Sequence, residues 1–466
     1  MRGGLSTSDR RISKLATMDR AQPKLTGDDN RLRPADRAVH GWYRFVLSFP
    51  PHLVRTYLER FGIDGLSRVL DPFCGTGTTI VECRKLGISS VGLERNPMAH
   101  LAASVKVDWS ADPAALLVHA CAVANRALAQ LHSDNIGDSP MLPLFNQVPS
   151  RPIAELRRLP QDAAKILLTD SISARPLHKV LVLLEALENC RDERFYQHER
   201  LALARAIVFE ASNLHFGPEV GAGSPKPDAA VIEPWLGAIR TMAADLESMD
   251  ASPIEAAIRL GDARDVSALV EPHSIDAVIT SPPYPNEKDY TRTTRLESVL
   301  LGLIHNKAEL RALKQDLVRS NTRSVYSADH DDELVADHPK IRRIASEIEE
   351  RRIAMGKTSG FERMYARVTR LYFGGMARHL AGLRLVLKPG ARLAYVVGDQ
   401  ASYLRVMIRT GQILADIAQS LGYQVESIDL FRTRLATATR EALREEVVVL
   451  RWPGANRIAN APPKVA

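Results

Sequence analysis

Two segments carry residues whose types and spacing can do chemistry. The first is Ser281-Pro282-Pro283-Tyr284, which follows the short apolar run from Ile275 to Thr280. That run is rich in Val and Ile, as a buried parallel strand is, and the prolines forbid its continuation, so the chain leaves the sheet there. Carbonyls without ladder partners at such an exit are free to face a ligand, Ser281 adds a hydroxyl acceptor, and Tyr284 adds a flat face. A planar exocyclic amine stacked on Tyr284 could donate to both acceptors, the arrangement that methylation of its nitrogen would need. A Pro-Pro strand exit with a core tyrosine would give the same tetrapeptide without chemistry. The second segment is Asp71-Pro72-Phe73-Cys74-Gly75-Thr76-Gly77-Thr78, where a strand runs into a glycine-rich turn and then into a helical pattern. Gly75 and Gly77 allow close backbone approach to a ligand, and the threonines can cap the helix. Ile80 stands where a dinucleotide fingerprint would place a third glycine, and no lysine occupies the P-loop position, so phosphate binding is disfavoured. Glu94 ends a second strand about twenty residues on, where a carboxylate can accept from both ribose hydroxyls. The ligand implied is an adenosyl group without pyrophosphate.

On these residues the chain resembles S-adenosylmethionine-dependent DNA amino-methyltransferases. The run Asp71–Thr78 is similar to the family's cofactor motif, Glu94 to its ribose-binding acid, and Ser281-Pro282-Pro283-Tyr284 to its catalytic motif. A leading serine resembles the cytosine-N4 enzymes, whereas the adenine-N6 enzymes usually carry Asp or Asn there. His40–Phe45 and Phe49-Pro50-Pro51-His52-Leu53 resemble the segment that closes over the methionine end of the cofactor. Asp262-Ala263 resembles the strand end whose acid contacts the adenine amino group, although Asp262 could equally cap a helix. Gly398-Asp399, at another strand end, either lines the cleft or caps a helix. The resemblance covers about residues 38–106 and 256–453 and implies S-adenosylmethionine as cofactor, double-stranded DNA with the target base flipped out as partner, and no metal. An adenine-N6 DNA enzyme and a guanine-N2 enzyme of transfer RNA are the enzymatic alternatives. Enzymes of the latter kind usually carry an RNA-binding domain ahead of the glycine turn, and the residues ahead of the first matching segment, which begins at His40, are too few for one. A catalytically retired nucleic-acid-binding module is the alternative of another class.

The elements that must position these motifs follow from periodicity. Strands are expected near Ser67–Asp71, Ser90–Glu94, Ala257–Leu260, Ile275–Thr280, Ala391–Val397, Tyr423–Phe431 and Glu446–Trp452, with helices over Phe361–Leu387 and Ile408–Leu421. The fold class is α/β: a Rossmann-like, doubly wound, mostly parallel sheet finished by a C-terminal antiparallel hairpin, with helical insertions. Ligands of such sheets sit beyond the carboxyl ends of the strands, so the two motifs can face one cleft. The expected organisation is a flexible basic arm over 1–37, a catalytic domain over 38–106 and 256–456, a helical insertion over 107–255 as candidate target-recognition region, a basic insertion over 287–360 as candidate DNA contact, and a tail over 457–466. In the first insertion, helical patterns run over Leu116–Leu131, Leu177–Leu187 and Leu201–Leu214. In the second, Lys288, Arg292, Arg295, Lys307, Arg311, Lys314, Arg319 and Arg323 are dense enough for phosphate contacts, with acids interleaved as on a solvated helical surface.

At 466 residues and 45% hydrophobic content the chain can bury a large core. Sixty-two Lys and Arg against 55 Asp and Glu give +7 and a pI near 9.2, which suits a polyanionic partner. Cys74, Cys83, Cys121 and Cys190 have neither zinc nor disulfide spacing, and a cytoplasmic, nucleoid-associated location is expected. Cys74 reads as a packing residue, Glu82 and Arg84 as solvated. The apolar stretch around Ala114 to Leu131 contains His119, Asn125 and Arg126 and does not read as membrane-spanning. Target sequence, oligomeric state and a separate restriction endonuclease are beyond the sequence.

Overall fold

A computed structural model describes residues 32–43, 48–139, 152, 155–217, 219–435 and 442–454. Most of the expected basic arm, the C-terminal tail, and Arg44 and Phe45 of the strap ahead of the glycine turn lie outside the described residues.

The strands, in chain order, are β1 (Arg68–Asp71), β2 (Ser89–Glu94), β3 (Leu214–Phe216), β4 (Val220–Ala222), β5 (Ala256–Leu260), β6 (Ile275–Thr280), β7 (Leu387–Gly398), β8 (Gln424–Leu435) and β9 (Ala442–Arg451). Seven form one sheet in the order β5-β2-β1-β6-β7-β9-β8. The first five pair in parallel, and β9 runs antiparallel to both β7 and β8. Each parallel crossover carries a helix: α1 (Pro51–Phe61) leads into β1, α2 (Thr78–Lys85) links β1 to β2, and α3 (Pro97–Lys106) follows β2. Chain order reverses across β1, with β2 on one side and β6 on the other, so the crevice of a doubly wound sheet opens at the carboxyl end of β1.

Strand alternation assigns the two faces. Val69, Ala277 and Ile279 pack with α1 and with Cys83 of α2. Leu70, Val278 and Leu393 face the helices Tyr365–Leu383 and Thr410–Ser420. All six are fully buried, each contributing about 1.5–3 kcal/mol where a Val, Leu or Ile leaves water completely. The inward-facing residues of β6 therefore hold it at the sheet centre, which fixes where its proline exit emerges.

The first insertion is helical, as its periodicity implies. It contains α4 (Pro113–Ser133) and the helices Ala174–Asn189, Tyr196–Ala206 and Ile232–Glu247. Helix α4 is the one described helix long and apolar enough to cross a membrane. Here its Leu116, Ala120, Val123, Ala127 and Leu131 are buried in a core shared with Leu183, Trp235 and Ile239. That core also takes in Val39, Trp42 and Tyr43, α3, and Leu296 and Leu300 from the helix after the catalytic motif, so the insertion is packed continuously against the catalytic domain. The expected helical pattern over Leu201–Leu214 ends early: a π turn at Ile207–Ala211 leads into the antiparallel β3–β4 hairpin. The expected arm over 1–37 also ends early, because Pro34–Asp36 forms a short helix whose buried Asp36 pairs with Arg55 of α1 at 2.9 Å.

Candidate active site

Five strand ends meet in one cleft of about 810 Å³, lined by Phe73–Thr76 after β1, Glu94 after β2, Asp262 and Ala263 after β5, Ser281–Tyr284 after β6, and Gln400–Ser402 after β7. Ser48 and Phe49 close one side, and Lys314–Ser324 together with the β8–β9 hairpin close the other.

In the glycine turn both glycines are left-handed, with φ of 54° at Gly75 and 87° at Gly77, a region that costs about 1–2 kcal/mol for a residue with a Cβ. They do different work. Gly75 lines the cleft, and a Cβ there would meet nothing within 4 Å, so the opening it leaves lies on the ligand side. Gly77 is off the cleft wall: it is the N-cap of α2, and a Cβ would stand 3.2 Å from that of Ala103 on α3. The expectation of threonine capping does not hold, since no side chain caps α2. Thr79 instead donates to the Ile279 carbonyl of β6 at 3.0 Å, tying the turn to the strand that carries the catalytic motif. Asp71 is fully buried behind the turn, where its Oδ1 accepts from the Thr280 hydroxyl at 2.6 Å and the Phe73 N–H at 3.1 Å. Burial outweighs those bonds and raises its carboxyl to about 6. Asp71 therefore couples β1 to β6 and does not line the cleft, nor does Pro50, the N-cap of α1. Cys74 fills the space left by Gly92 of β2, and burial pushes its thiol up, consistent with packing.

Glu94 faces the cleft while its two oxygens accept from the backbone N–H groups of Gly75 and Asn96, each at 2.7 Å. Burial raises it to about 7. Asp262 lines the cleft and also caps a 3-10 turn, accepting from the Arg264 N–H at 2.9 Å and from the Arg264 guanidinium. One residue behind the wall escaped the sequence reading. His379, fully buried on the helix Tyr365–Leu383, places Nδ1 2.7 Å from the Ala263 carbonyl and Nε2 2.7 Å from the Tyr395 hydroxyl. Its ring meets Phe73 edge-on at 4.9 Å, and burial lowers its pKa to about 4. A neutral histidine, donating from Nδ1 and accepting at Nε2, braces Phe73 and Ala263 from behind; only the folded chain brings it there.

On the β6 side, the Ser281 hydroxyl donates to the Val396 carbonyl of β7 at 3.1 Å. Its proton committed, the oxygen has lone pairs to offer a donor, with the Tyr284 side chain as a neighbouring hydrogen-bonding group. No donor among the described residues reaches the Pro282 carbonyl. The Tyr284 ring lies against Gly398, where a Cβ would come within 3.0 Å of it, and the Tyr284 N–H donates to the Tyr290 hydroxyl at 3.0 Å. Gly398 thus makes room for Tyr284 instead of lining the cleft. Asp399, 1% exposed, pairs with Arg409 at 2.5 Å, and its N–H donates to the Arg444 carbonyl at 2.8 Å.

The strap ahead of the turn is anchored by buried polar groups. Trp42 Nε1 donates to Asp245 at 2.7 Å, the Tyr43 hydroxyl to Glu297 at 2.5 Å, and the Lys106 ammonium to the Tyr43 carbonyl at 2.6 Å. Glu82, expected to be solvated, is 1% exposed and accepts from His40 at 2.8 Å and from Arg55; against its burial, those partners hold its carboxyl down at about 2. Arg84 lies over the Trp109 ring at 4.6 Å. Both side chains dock α2, so neither belongs to a solvated face.

These residues fit an adenosyl ligand: an open glycine approach, a carboxylate in the ribose position, and no cation in the turn to demand a phosphate. A Rossmann-like sheet with these groups at its strand ends is that of a methyltransferase. A family model described as DNA methylase matches residues 24–104. Over 453 residues the chain is 24% identical to the type II methyltransferase M.BsoBI of Geobacillus stearothermophilus, covering 90% of this chain and 86% of that protein. It is 24% identical to M.AvaI of a Nostoc species over 464 residues, 91% and 88% of the two chains. A 70-residue stretch, 15% of this chain and 13% of the other, is 40% identical to M.MjaII of Methanocaldococcus jannaschii. The matched model and these relatives support an adenine-N6/cytosine-N4 DNA methyltransferase family, whose members use S-adenosyl-L-methionine.

Proposed function

We propose that this DNA methyltransferase acts on the exocyclic N4 amine of a cytosine rotated out of the duplex. The observation that carries the reading is Ser281, whose hydroxyl proton is held by the Val396 carbonyl, leaving acceptor lone pairs beside the free Pro282 carbonyl.

The lone pair of cytosine N4 is delocalised into the ring, so the amine is a poor nucleophile while planar. Two acceptors, Ser281 Oγ and the Pro282 carbonyl, would draw its hydrogens to one side, favour the pyramidal form and aim the freed lone pair across the cleft. Tyr284, backed by Gly398, offers the face on which the base stacks, and that stacking repays part of the cost of extruding it. S-Adenosylmethionine, when bound, supplies the electrophilic methyl group on a sulfonium. Gly75 would admit the adenosyl group, Glu94 accept from the ribose hydroxyls, Asp262 and Ala263 meet the adenine edge, Phe73 lie against it, and Phe49 cover the methionine end. Pro72, Cys74, Thr76 and Thr78 shape the turn, and Pro283 holds the exit. The chain's contribution is then mainly positioning. The helical insertion over 107–255 is proposed to read the target sequence, with a cytoplasmic, nucleoid-associated location and a separately encoded endonuclease as partner.

Incubation with S-adenosylmethionine and mixed-sequence duplex DNA, then digestion and mass spectrometry of nucleosides, tests the reading. N4-methyldeoxycytidine is the expected product. N6-methyldeoxyadenosine would refute the assignment of the base, and methylation of transfer RNA alone would refute the substrate class.

A further inference from the structure

We propose that Lys288 and Arg434 form an anion subsite at the mouth of the cleft that takes one phosphodiester beside the target nucleotide; this rests on the DNA reading above. Many cations of the 287–360 segment are consumed internally. Arg295 and Lys314 both pair with buried Asp289, at 3.2 and 2.6 Å. Arg319, 3% exposed, is bidentate to Asp329, and Arg351 and Arg352 pair along their own helix with Glu347 and Glu349. Lys288 is different. It lines the cleft, is half-buried, and its ammonium has no hydrogen-bond or ion-pair partner among the described residues.

The backbone that presents it is fixed on both sides. Glu287 sits in the left-handed region at φ 65°, unusual for a residue with a long side chain. Its carboxylate accepts from the Thr322 N–H at 3.0 Å and from the Thr322 hydroxyl, and its N–H donates to the Ser320 carbonyl at 3.1 Å. Asp289 is locked by Lys314, Arg295 and the Thr291 hydroxyl. The Lys288 carbonyl accepts from Asn321 at 3.1 Å. Strain of this kind persists only where the surroundings over-determine it, and it gathers at functional positions. Here it turns a single ammonium into the cleft.

Arg434 lines the same cleft from β8. Its charge and that of Lys288 act on each other, and burial lowers the Lys288 pKa. Nearby, Glu445 is already bidentate to Arg432, at 2.6 and 2.9 Å, and reaches Arg434 only at 3.4 Å. Exposed Glu219, on the β3–β4 turn, is the remaining carboxylate facing Lys288. Two cations that line one cleft with Tyr284, one without an ion-pair partner among the described residues and one held by a carboxylate shared with Arg432 at only 3.4 Å, are arranged for an anion. A nucleotide whose base stacks on Tyr284 brings a phosphodiester to the mouth of the same cleft.

The test is the salt dependence of duplex DNA binding by the full chain, followed by fluorescence anisotropy. In Lys288→Gln the slope of log affinity against log salt is expected to shrink by about 0.9, the value for one lost phosphate contact, while Lys288→Arg keeps the wild-type slope. Arg434→Gln should shrink it similarly, and the double variant should lose less affinity than the two single losses combined. Retained S-adenosylmethionine affinity in Lys288→Gln certifies the fold; if that variant does not fold, Lys288→Arg and Arg434→Gln decide. An unchanged slope in Lys288→Gln and Arg434→Gln overturns the subsite. So does an unchanged slope with a shift in which base is methylated, because it would move Lys288 to a base edge. Failure of the wild-type protein to bind or methylate any DNA would instead sink the reading beneath it.

Discussion

The wall of the cleft formed by Phe73–Thr76, Glu94 and Asp262 is pinned by groups close together in the chain or on adjacent strand ends: the Cys74 N–H donates to the Leu93 carbonyl at 3.0 Å, the Glu94 carboxylate accepts from the Gly75 and Asn96 N–H groups, and Asp262 holds Arg264 two residues on. The opposite wall, formed by Ser281–Tyr290, Lys314–Ser324, Gln400–Ser402 and the β8–β9 hairpin, is pinned by side chains. There, Asp289 holds Lys314 and Arg295, Glu287 holds Thr322, the Tyr403 hydroxyl donates to the Ser320 carbonyl at 2.9 Å, and Glu445 holds Arg432. A wall made from neighbouring strand ends is preorganised as soon as the sheet forms. A wall made from four distant segments depends on each buried charge keeping its partner, so damage to the two should differ in kind.

The largest effect is expected at Asp289. Replacing it by alanine strands Lys314 and Arg295, both largely buried, and loss of one partner from a buried ion pair costs about 3–5 kcal/mol. Urea unfolding measures it; a loss below 1 kcal/mol would show that this wall does not rest on its charges. Tyr284→Ala should slow transfer by the loss of base stacking, about 1–3 kcal/mol, while calorimetric S-adenosylmethionine affinity stays unchanged. Weakened cofactor binding in that variant would mean the two walls are one site. Gly77→Ala should cost about 1–2 kcal/mol of stability from its left-handed φ, plus crowding against Ala103. Because Gly77 is off the cleft wall, the penalty should appear in melting temperature and spare the KM for cofactor.

The smallest effect is in pH. Glu94, raised by burial to about 7, contributes stability to the free protein that is full below its ordinary value near 4.5 and lost as pH rises through 7. Cofactor binding runs the other way, since the ionised form accepts from the ribose. The melting temperature without cofactor should therefore fall from pH 5 to pH 7, and S-adenosylmethionine affinity should rise from pH 6 to pH 8. Glu94→Gln should flatten the affinity curve and make the stability curve shallower, with buried Asp71, raised to about 6, accounting for part of the slope that stays; an unaltered affinity profile would remove Glu94 from the ribose.

The same contrast explains what was legible in the chain. The central strands of the large sheet were readable because a strand buried on both faces is an apolar run, and Gly75 after β1 and Pro282 after β6 mark two of their exits. Their positions at carboxyl ends placed them in one cleft without reference to any distant contact. The sequence overstated the roles of Asp71, Gly77 and Pro50, because adjacency to a motif does not tell a cleft wall from the scaffold behind it. It misjudged Glu82, since a carboxylate on a short helix looks solvated until His40 and Arg55 are folded onto it.

Local periodicity and turn chemistry thus determined the sheet, the order of its strands along the chain and the two motifs. Tertiary structure alone decided which charges are spent inside and which face the cleft. Lys288 and Lys314 are equal as residues in a basic segment, and the difference between them is Asp289, which pairs with Lys314 and leaves Lys288 exposed to the cleft. Charge is a property of the residue, but its availability depends on the distance to a partner, and that distance exists only in the folded chain.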